Sequence, residues 1–370
     1  MKTLRLTVDP AHMQELAAQS ALDQAAELLR AGGTVALPTE TVYGLGANAL
    51  DAAAVARIFE AKERPNWDPL IVHVAGEAML LEVVEAVPEA ARLLIRSFWP
   101  GPLTLLLPRS AAVPDAVTAG RPLVGVRVPA HPVARELILR AGVPVAAPSA
   151  NRFGHTSPTT AEHVLDDLDG RIDAVVDSGP TNWGVESTVL DPSVSPMMVY
   201  RPGAVTVEQI RAIAGAVELF TDEKELTSTP REAMPSPGVG LRHYAPSARV
   251  LLVDPAETGP EGEGDETAYL QGLMDVARAN AGAKLGVLLP QWPEREAGWL
   301  EAQLRAAAVV YPWGRWPGLK DEPEEQARLL FSGLRYLDAL GCGVILCPLP
   351  PARGIGQAIR DRLRKAAWRE

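Results

Sequence analysis

Along residues 20 to 31, SALDQAAELLRA, apolar side chains recur every three or four positions, the period of a helix that buries one stripe. Gly32-Gly33 predicts its end, because glycine accepts the left-handed conformation of a helix C-terminus. TVALPTETVYGLG follows as a strand running into a loop. The same alternation continues with a helix DAAAVARIFEAK capped by Asp51, a strand PLIVHV, and a helix PEAARLLIRSFW with Pro88 in its first turn. LTLLLP and LVGVRVP read as strands, HPVARELILRAG as a helix, and VPVAAPSAN as a strand leading into a loop. Thr159 and Glu162 predict a capping box before a helix reaching about Leu168, and DAVVDSG and STVLDPS predict two further strands.

This pattern predicts one α/β domain over residues 1–220. Residues 221–246, TDEKELTSTPREAMPSPGVGLRHYAP, have no apolar period and are rich in Pro, Ser and Thr, the composition of a linker. The pattern restarts over 247–370. ARVLLVD, KLGVLLP, AAVVYPW and GVILCPLP are strand candidates separated by helical runs, which predicts a small parallel sheet with crossover helices.

Composition narrows the class. At 370 residues, 47% hydrophobic and 22% charged, the chain has enough apolar material for two cores. A net charge of -11 argues against a broad basic surface for nucleic acid and leaves room for a local cationic pocket. The N-terminus lacks a signal-peptide core and no window approaches about 18 consecutive apolar residues, so a cytoplasmic protein that does not span a membrane is expected. Cys342 and Cys347 match no zinc or redox spacing and read as buried thiols.

P-loop, dinucleotide-binding, zincin and serine-hydrolase motifs are missing from the sequence. What remains is a set of polar residues at predicted strand ends, where open α/β sheets place ligands. Thr39, Glu40 and Thr41 follow TVALP; Lys62 and Arg64 precede the strand bearing His73. Thr118, Arg127, Ser149, Asn151, Ser157, Ser187, Thr188 and Arg201 complete the set. Taken alone, Lys62 and Arg64 read as a solvated helix end, His73 as a neutral core histidine, and the serines as turn formers. Arg127 is more telling, because a guanidinium within a valine-rich strand needs an anionic partner. Four cations, Lys62, Arg64, Arg127 and Arg201, with hydroxyls around them, suit a multiply charged oxyanion.

PTETVYGLG at 38–46, Lys62-x-Arg64-Pro65 with PLIVHV, WPGPLTLLL at 99–107, VGVRVPAHP at 124–132, APSAN at 147–151 and GVESTV at 184–189 together resemble the YrdC-like domain of threonylcarbamoyl-AMP synthases. SPGVGLRHYAP at 236–246 and the module after it resemble the linker and second domain of the two-domain form. The resemblance implies a YrdC-like twisted open α/β domain, a linker that closes over the site, and a smaller Rossmann-like domain. It implies a nucleotidyltransferase that makes threonylcarbamoyl-adenylate and pyrophosphate from L-threonine, bicarbonate and ATP with Mg²⁺. Downstream tRNA threonylcarbamoyl-transferase proteins would consume the product, so tRNA is an indirect partner. Lys62, Arg64, Ser149 and Asn151 match the Lys-x-Arg and Ser-x-Asn signature. Thr39, His73, Arg127 and Ser187 are implied to hold threonine. Lys62, Arg64, Thr118, Ser149, Asn151, Ser157, Arg201 and Tyr244 are implied to hold ATP, with His243 beside Tyr244 in the linker. The alternative is an RNA-binding module without adenylate chemistry, which the acidic charge disfavours.

Overall fold

The computed structural model describes residues 2–220, 236, 238, 243–254, 266–291, 298–315 and 323–368. Most of the expected linker, 221–235, 237 and 239–242, lies outside the described residues. The chain divides into two compact units, Met1–Phe153 with Ser157–Leu241, and Gly154–Thr156 with Arg242–Glu370.

The first unit holds strands β1 (Leu4–Thr7), β2 (Val35–Leu37), β3 (Gly44–Asn48), β4 (Ile71–His73), β5 (Leu103–Pro108), β6 (Leu123–Arg127), β7 (Val145–Ala146), β8 (Ala174–Asp177), β9 (Thr188–Asp191), β10 (Met197–Arg201) and β11 (Val217–Leu219). Its helices are α1 (Leu16–Arg30), α2 (Ala52–Lys62), α3 (Glu77–Val83), α4 (Glu89–Phe98), α5 (Asp115–Thr118), α6 (Pro132–Ala141), α7 (Ala161–Leu168) and α8 (Val207–Ala214). The strands pair in the order β1-β8-β2-β3-β7-β4-β6-β5-β9-β10-β11. Parallel pairs such as β4/β6 and β5/β9 alternate with antiparallel ones such as β3/β7, β4/β7 and β5/β6, so the sheet is mixed.

Asp51 caps α2 as expected, accepting from the N–H groups of Ala53 and Ala54. The cap of α7 differs from the expected one: Thr160, not Thr159, accepts from the N–H of His163. Two adjacent threonines offer the same chemistry, and the shift leaves Glu162 one position short of the capping-box site. β3 was not anticipated, since Gly44 and Gly46 disguise it. A side chain at Gly46 would meet Leu37 and Val145 at 2.7 Å each, so the glycine is what lets β2 and β7 close on either side. Across the unit, a continuous core runs from Val8 and Leu22 through Leu37, Val72 and Val126 to Leu190 and Ile210.

The second unit is the expected parallel sheet. Strands β12 (Arg249–Val253), β13 (Leu285–Gln291), β14 (Val309–Arg315) and β15 (Val344–Pro348) pair in the order β12-β15-β13-β14, all parallel. Helices α9 (Glu266–Ala279), α10 (Gly298–Ala307), α11 (Glu324–Ala339) and α12 (Gly356–Ala367) connect and flank them. Leu270, Leu273, Leu289, Leu300 and Leu346 centre its core. Both cysteines are free and buried. Among the described residues no helix is long and apolar enough to cross a membrane.

Candidate active site

α2 buries Ala54, Val55, Ile58, Phe59 and Lys62, the spacing of one helical stripe, so the lysine closes an apolar face. Lys62 is 1% exposed, and its ammonium donates to the carbonyl of Ser149 at 2.6 Å and to that of Asn151. Burial and the neighbouring Arg64 push its pKa well below the usual lysine range, against the pull of Asp68 and Asp167. Glu63 takes the left-handed conformation and ends the helix. Arg64 is also buried: it donates to Pro69 O at 2.8 Å, pairs with the Asp68 carboxylate at 2.9 Å and lies over the Phe153 ring at 5.9 Å. The solvated helix end is therefore overturned for both residues. The Pro65–Pro69 turn folds its own oxygens back onto the guanidinium.

Arg127 ends β6 beside His73 at the end of β4, and the two are paired in register. Arg127 is 2% exposed. Its Nη2 donates to Thr41 Oγ1 at 3.1 Å and lies 3.5 Å from Glu40 Oε2, while its Nε has no partner. Glu40 Oε2 accepts from the N–H of Ala130 at 3.1 Å, and its buried Oε1 has no partner. Thr39 Oγ1 bridges Thr41 Oγ1 at 2.8 Å and Val42 O at 2.6 Å. Burial, then Arg127 and more weakly Arg201, holds the His73 pKa well below the usual histidine range, with Nδ1 facing Ile71 O at 3.3 Å. The core-histidine reading and the pocket reading thus meet in one neutral ring next to two cations.

Arg201 donates to Ser187 O at 2.9 Å and to Ser187 Oγ at 3.1 Å. That hydroxyl also meets Thr104 Oγ1 at 2.8 Å. Ser157 Oγ donates to Glu186 at 2.5 Å. The loops carrying these residues are laced together: Trp183 and Gly184 donate to Glu40 O and Thr41 O, Tyr43 to Pro158 O, and Ala150 to Tyr43 O. Thr118 sits at the end of α5, where its hydroxyl accepts from Arg109 at 3.3 Å and Val117 O receives the N–H of Leu70. It adjoins the Arg64 loop without bonding to the other set members. Tyr244 and His243 belong to the second unit, where Tyr244 stacks on Phe331 at 5.6 Å and lies 5.1 Å from the Arg362 guanidinium.

Three side chains of this cluster had no role from sequence. Thr104 is the polar interruption in LTLLLP, a signal like that of Arg127 in its strand. Glu186 adjoins Ser187 in GVEST, and Glu40 stands between the two threonines of PTET. Among the described residues no three His, Cys, Asp or Glu side chains cluster to hold a metal.

The comparisons with known proteins cover the whole chain. A family model for Sua5, YciO and YrdC, described as telomere recombination, matches residues 27–203, and one described as threonylcarbamoyl-AMP synthase, C-terminal domain, matches 205–368. The threonylcarbamoyl-AMP synthase of Pyrococcus abyssi is 42% identical over 343 residues, 93% of either chain. That of Bacillus subtilis is 42% identical over 369 residues, 99% of this chain and 98% of its own. The crystal structure of P. abyssi Sua5 complexed with L-threonine superposes with a TM-score of 0.83 at 39% identity, covering 99% of this chain and 98% of the other.

Proposed function

This chain belongs to the threonylcarbamoyl-AMP synthase family, and we propose from that membership that it joins L-threonine, bicarbonate and ATP into threonylcarbamoyl-AMP and pyrophosphate. The product is the activated intermediate for threonylcarbamoyladenosine modification of tRNA, and the reaction takes place in the cytoplasm. The observation that carries this reading is the burial of four cations, Lys62, Arg64, Arg127 and Arg201, in one unit, three of them at the ends of α2, β6 and β10.

Threonine's neutral amine adds to the carbon of bicarbonate and water leaves, and an oxygen of the resulting N-carboxylate attacks the α-phosphorus of ATP as pyrophosphate leaves. Two anions must approach. At about 4 Å two unit charges repel by roughly 4 kcal/mol at an effective dielectric of 20, and fixed cations offset this without reorganisation. Arg127 takes the threonine carboxylate. The neutral His73, Thr39 and Ser187 line the same pocket and orient it. Lys62, with one N–H beyond its two carbonyl acceptors, contacts a phosphate oxygen. Arg64, Thr118, Ser149, Asn151, Ser157 and Arg201 hold the rest of the nucleotide. Positioning and electrostatics carry such chemistry, and no side-chain nucleophile is needed.

Among the described residues no cluster of carboxylates, histidines or cysteines supplies a cage for Mg²⁺. The ion would accompany the ATP phosphates. Downstream transferases receive the intermediate. Incubating the protein with ATP, threonine and bicarbonate, then detecting threonylcarbamoyl-AMP by mass spectrometry alongside pyrophosphate release, tests the reading. ATP consumption independent of threonine and bicarbonate, with no adenylate, would refute it.

A further inference from the structure

Native proteins rarely bury a polar group without a partner, because the group gives up its bonds to water and regains none, at greater cost when it is charged. The Arg127 pocket holds two such groups of opposite character. Arg127 Nε is a donor without an acceptor, and Glu40 Oε1 is an acceptor without a donor, on side chains 2% and 4% exposed. They belong to partners already joined at 3.5 Å through Nη2 and Oε2, so the charges are balanced while Nε of one and Oε1 of the other stay unused. An inorganic anion would satisfy only the arginine, and a cation only the glutamate. A zwitterion satisfies both.

The surroundings hold the carboxylate in place for this task. Glu40 Oε2 is fixed by the N–H of Ala130, at the entry to α6, whose N-terminus favours negative charge. The backbone of Glu40 is fixed independently, its carbonyl receiving the N–H of Trp183 at 2.9 Å. Thr41 bonds to both Arg127 and Thr39, which fixes the guanidinium from a second side.

We propose that Glu40 recognises the amino group of the amino-acid substrate through Oε1 while Arg127 takes its carboxylate, making the pair a zwitterion clamp that selects α-amino acids over hydroxy acids. This rests on the functional reading above and adds the residue that reads the amino end. A charge-assisted hydrogen bond of this kind is roughly twice as strong as a neutral one, enough for about tenfold or more in affinity.

Calorimetry on the full chain tests it with two probes: L-threonine, and 2,3-dihydroxybutanoate, in which a hydroxyl replaces the amine. The wild type is expected to bind threonine at least tenfold more tightly. Glu40→Gln keeps the acceptor for Ala130 and the side-chain shape. It should weaken threonine at least tenfold while changing the hydroxy acid, and the KM for ATP, less than about twofold. Equal wild-type affinity for the two probes overturns the proposal, and this arm does not depend on the variant folding. Equal weakening of both probes in Glu40→Gln overturns it as well, since Glu40 would then only be holding Arg127. Unchanged threonine affinity in the variant does the same. Should the wild type bind the hydroxy acid but not threonine, the clamp and the functional reading both fall; should threonine bind without discrimination, only the clamp does.

Discussion

Each unit buries cations, and they dispose of the charge differently. In the second unit Arg360 and Arg362 ride on α12 next to carboxylates: Arg360 pairs with Asp254 and donates to Pro350 O at 2.8 Å, and Arg362 bonds to Asp361 at 2.5 Å. Burial would raise the Asp361 pKa, yet Lys365 and Arg362 hold it below the usual carboxylate range. These charges are neutralised in place and tie α12 to β12 and to the segment after β15. In the first unit Arg64 and Arg127 also face carboxylates, those of Asp68 and Glu40, but the two acceptors bonded to Lys62 are neutral carbonyls. Desolvated positive charge held by neutral oxygens costs stability that only an arriving anion recovers. The difference separates a charge that builds the fold from one kept ready for a ligand.

Replacing a cation in each unit should break the molecule in different ways. The largest effect is expected for Lys62→Met, which keeps the stem and removes the charge: product formation should fall about 10²–10³-fold, the scale of one electrostatic donor lost from a transition state. Its melting temperature should stay level or rise, since a desolvated charge is removed. A rate within threefold of wild type would place Lys62 among the structural residues. Arg360→Met should do the reverse. Breaking a fully buried pair costs about 3–5 kcal/mol, and the partial exposure of Asp254, 19%, lowers the expectation to roughly 2–3 kcal/mol. Urea unfolding followed from Trp313, buried in the second unit, should show an earlier transition. Turnover at a temperature where both units are folded should fall far less than in Lys62→Met.

A smaller effect sharpens the picture within the first unit. Ser187→Ala removes an acceptor from Arg201 and a partner from Thr104. About tenfold should be lost in kcat/KM for threonine, the worth of one hydrogen bond to a charged group. Thr104→Val should cost less, and the double variant should fall short of the product of the two, because they share one network. Simple multiplication of the two losses would mean that Thr104 acts independently of Ser187.

The strength of each local signal decided what could be read in advance. Asp51 as a cap, the long apolar strands of the second unit and the buried arginine in LVGVR were legible, because capping chemistry and burial patterns are local. Strand direction was not, since Ile71–His73 pairs parallel to one neighbour and antiparallel to the other through contacts distant in sequence. By residue type alone Lys62 reads as a solvated helix end, although its position three after Phe59 on the buried stripe of α2 is a usable signal of its burial. Glu40 was visible as a polar residue at a strand end. Its role depends on Ala130 and Arg127, about ninety positions away, and no local pattern reports that.

The smallest expected effect bears on the same contrast through pH. His73 lies between a strand of apolar neighbours and the cations Arg127 and Arg201, and its folded pKa is well below 6.5. Below pH 6.5 the unfolded chain takes up a proton at this residue that the folded chain refuses, so stability falls as pH drops from 6.5 towards the folded value. One such proton contributes at most about 1.4 kcal/mol per pH unit. His73→Asn, which retains a donor for Ile71 O, removes this contribution. Denaturant melts at pH 7.5, 6.5 and 5.5 should show the wild type losing about 1 kcal/mol more than the variant across the last step, and only about 0.3 kcal/mol more across the first. Parallel losses at both steps would mean that the imidazole protonates in the folded state, and that Arg127 and Arg201 are too well neutralised to repel it.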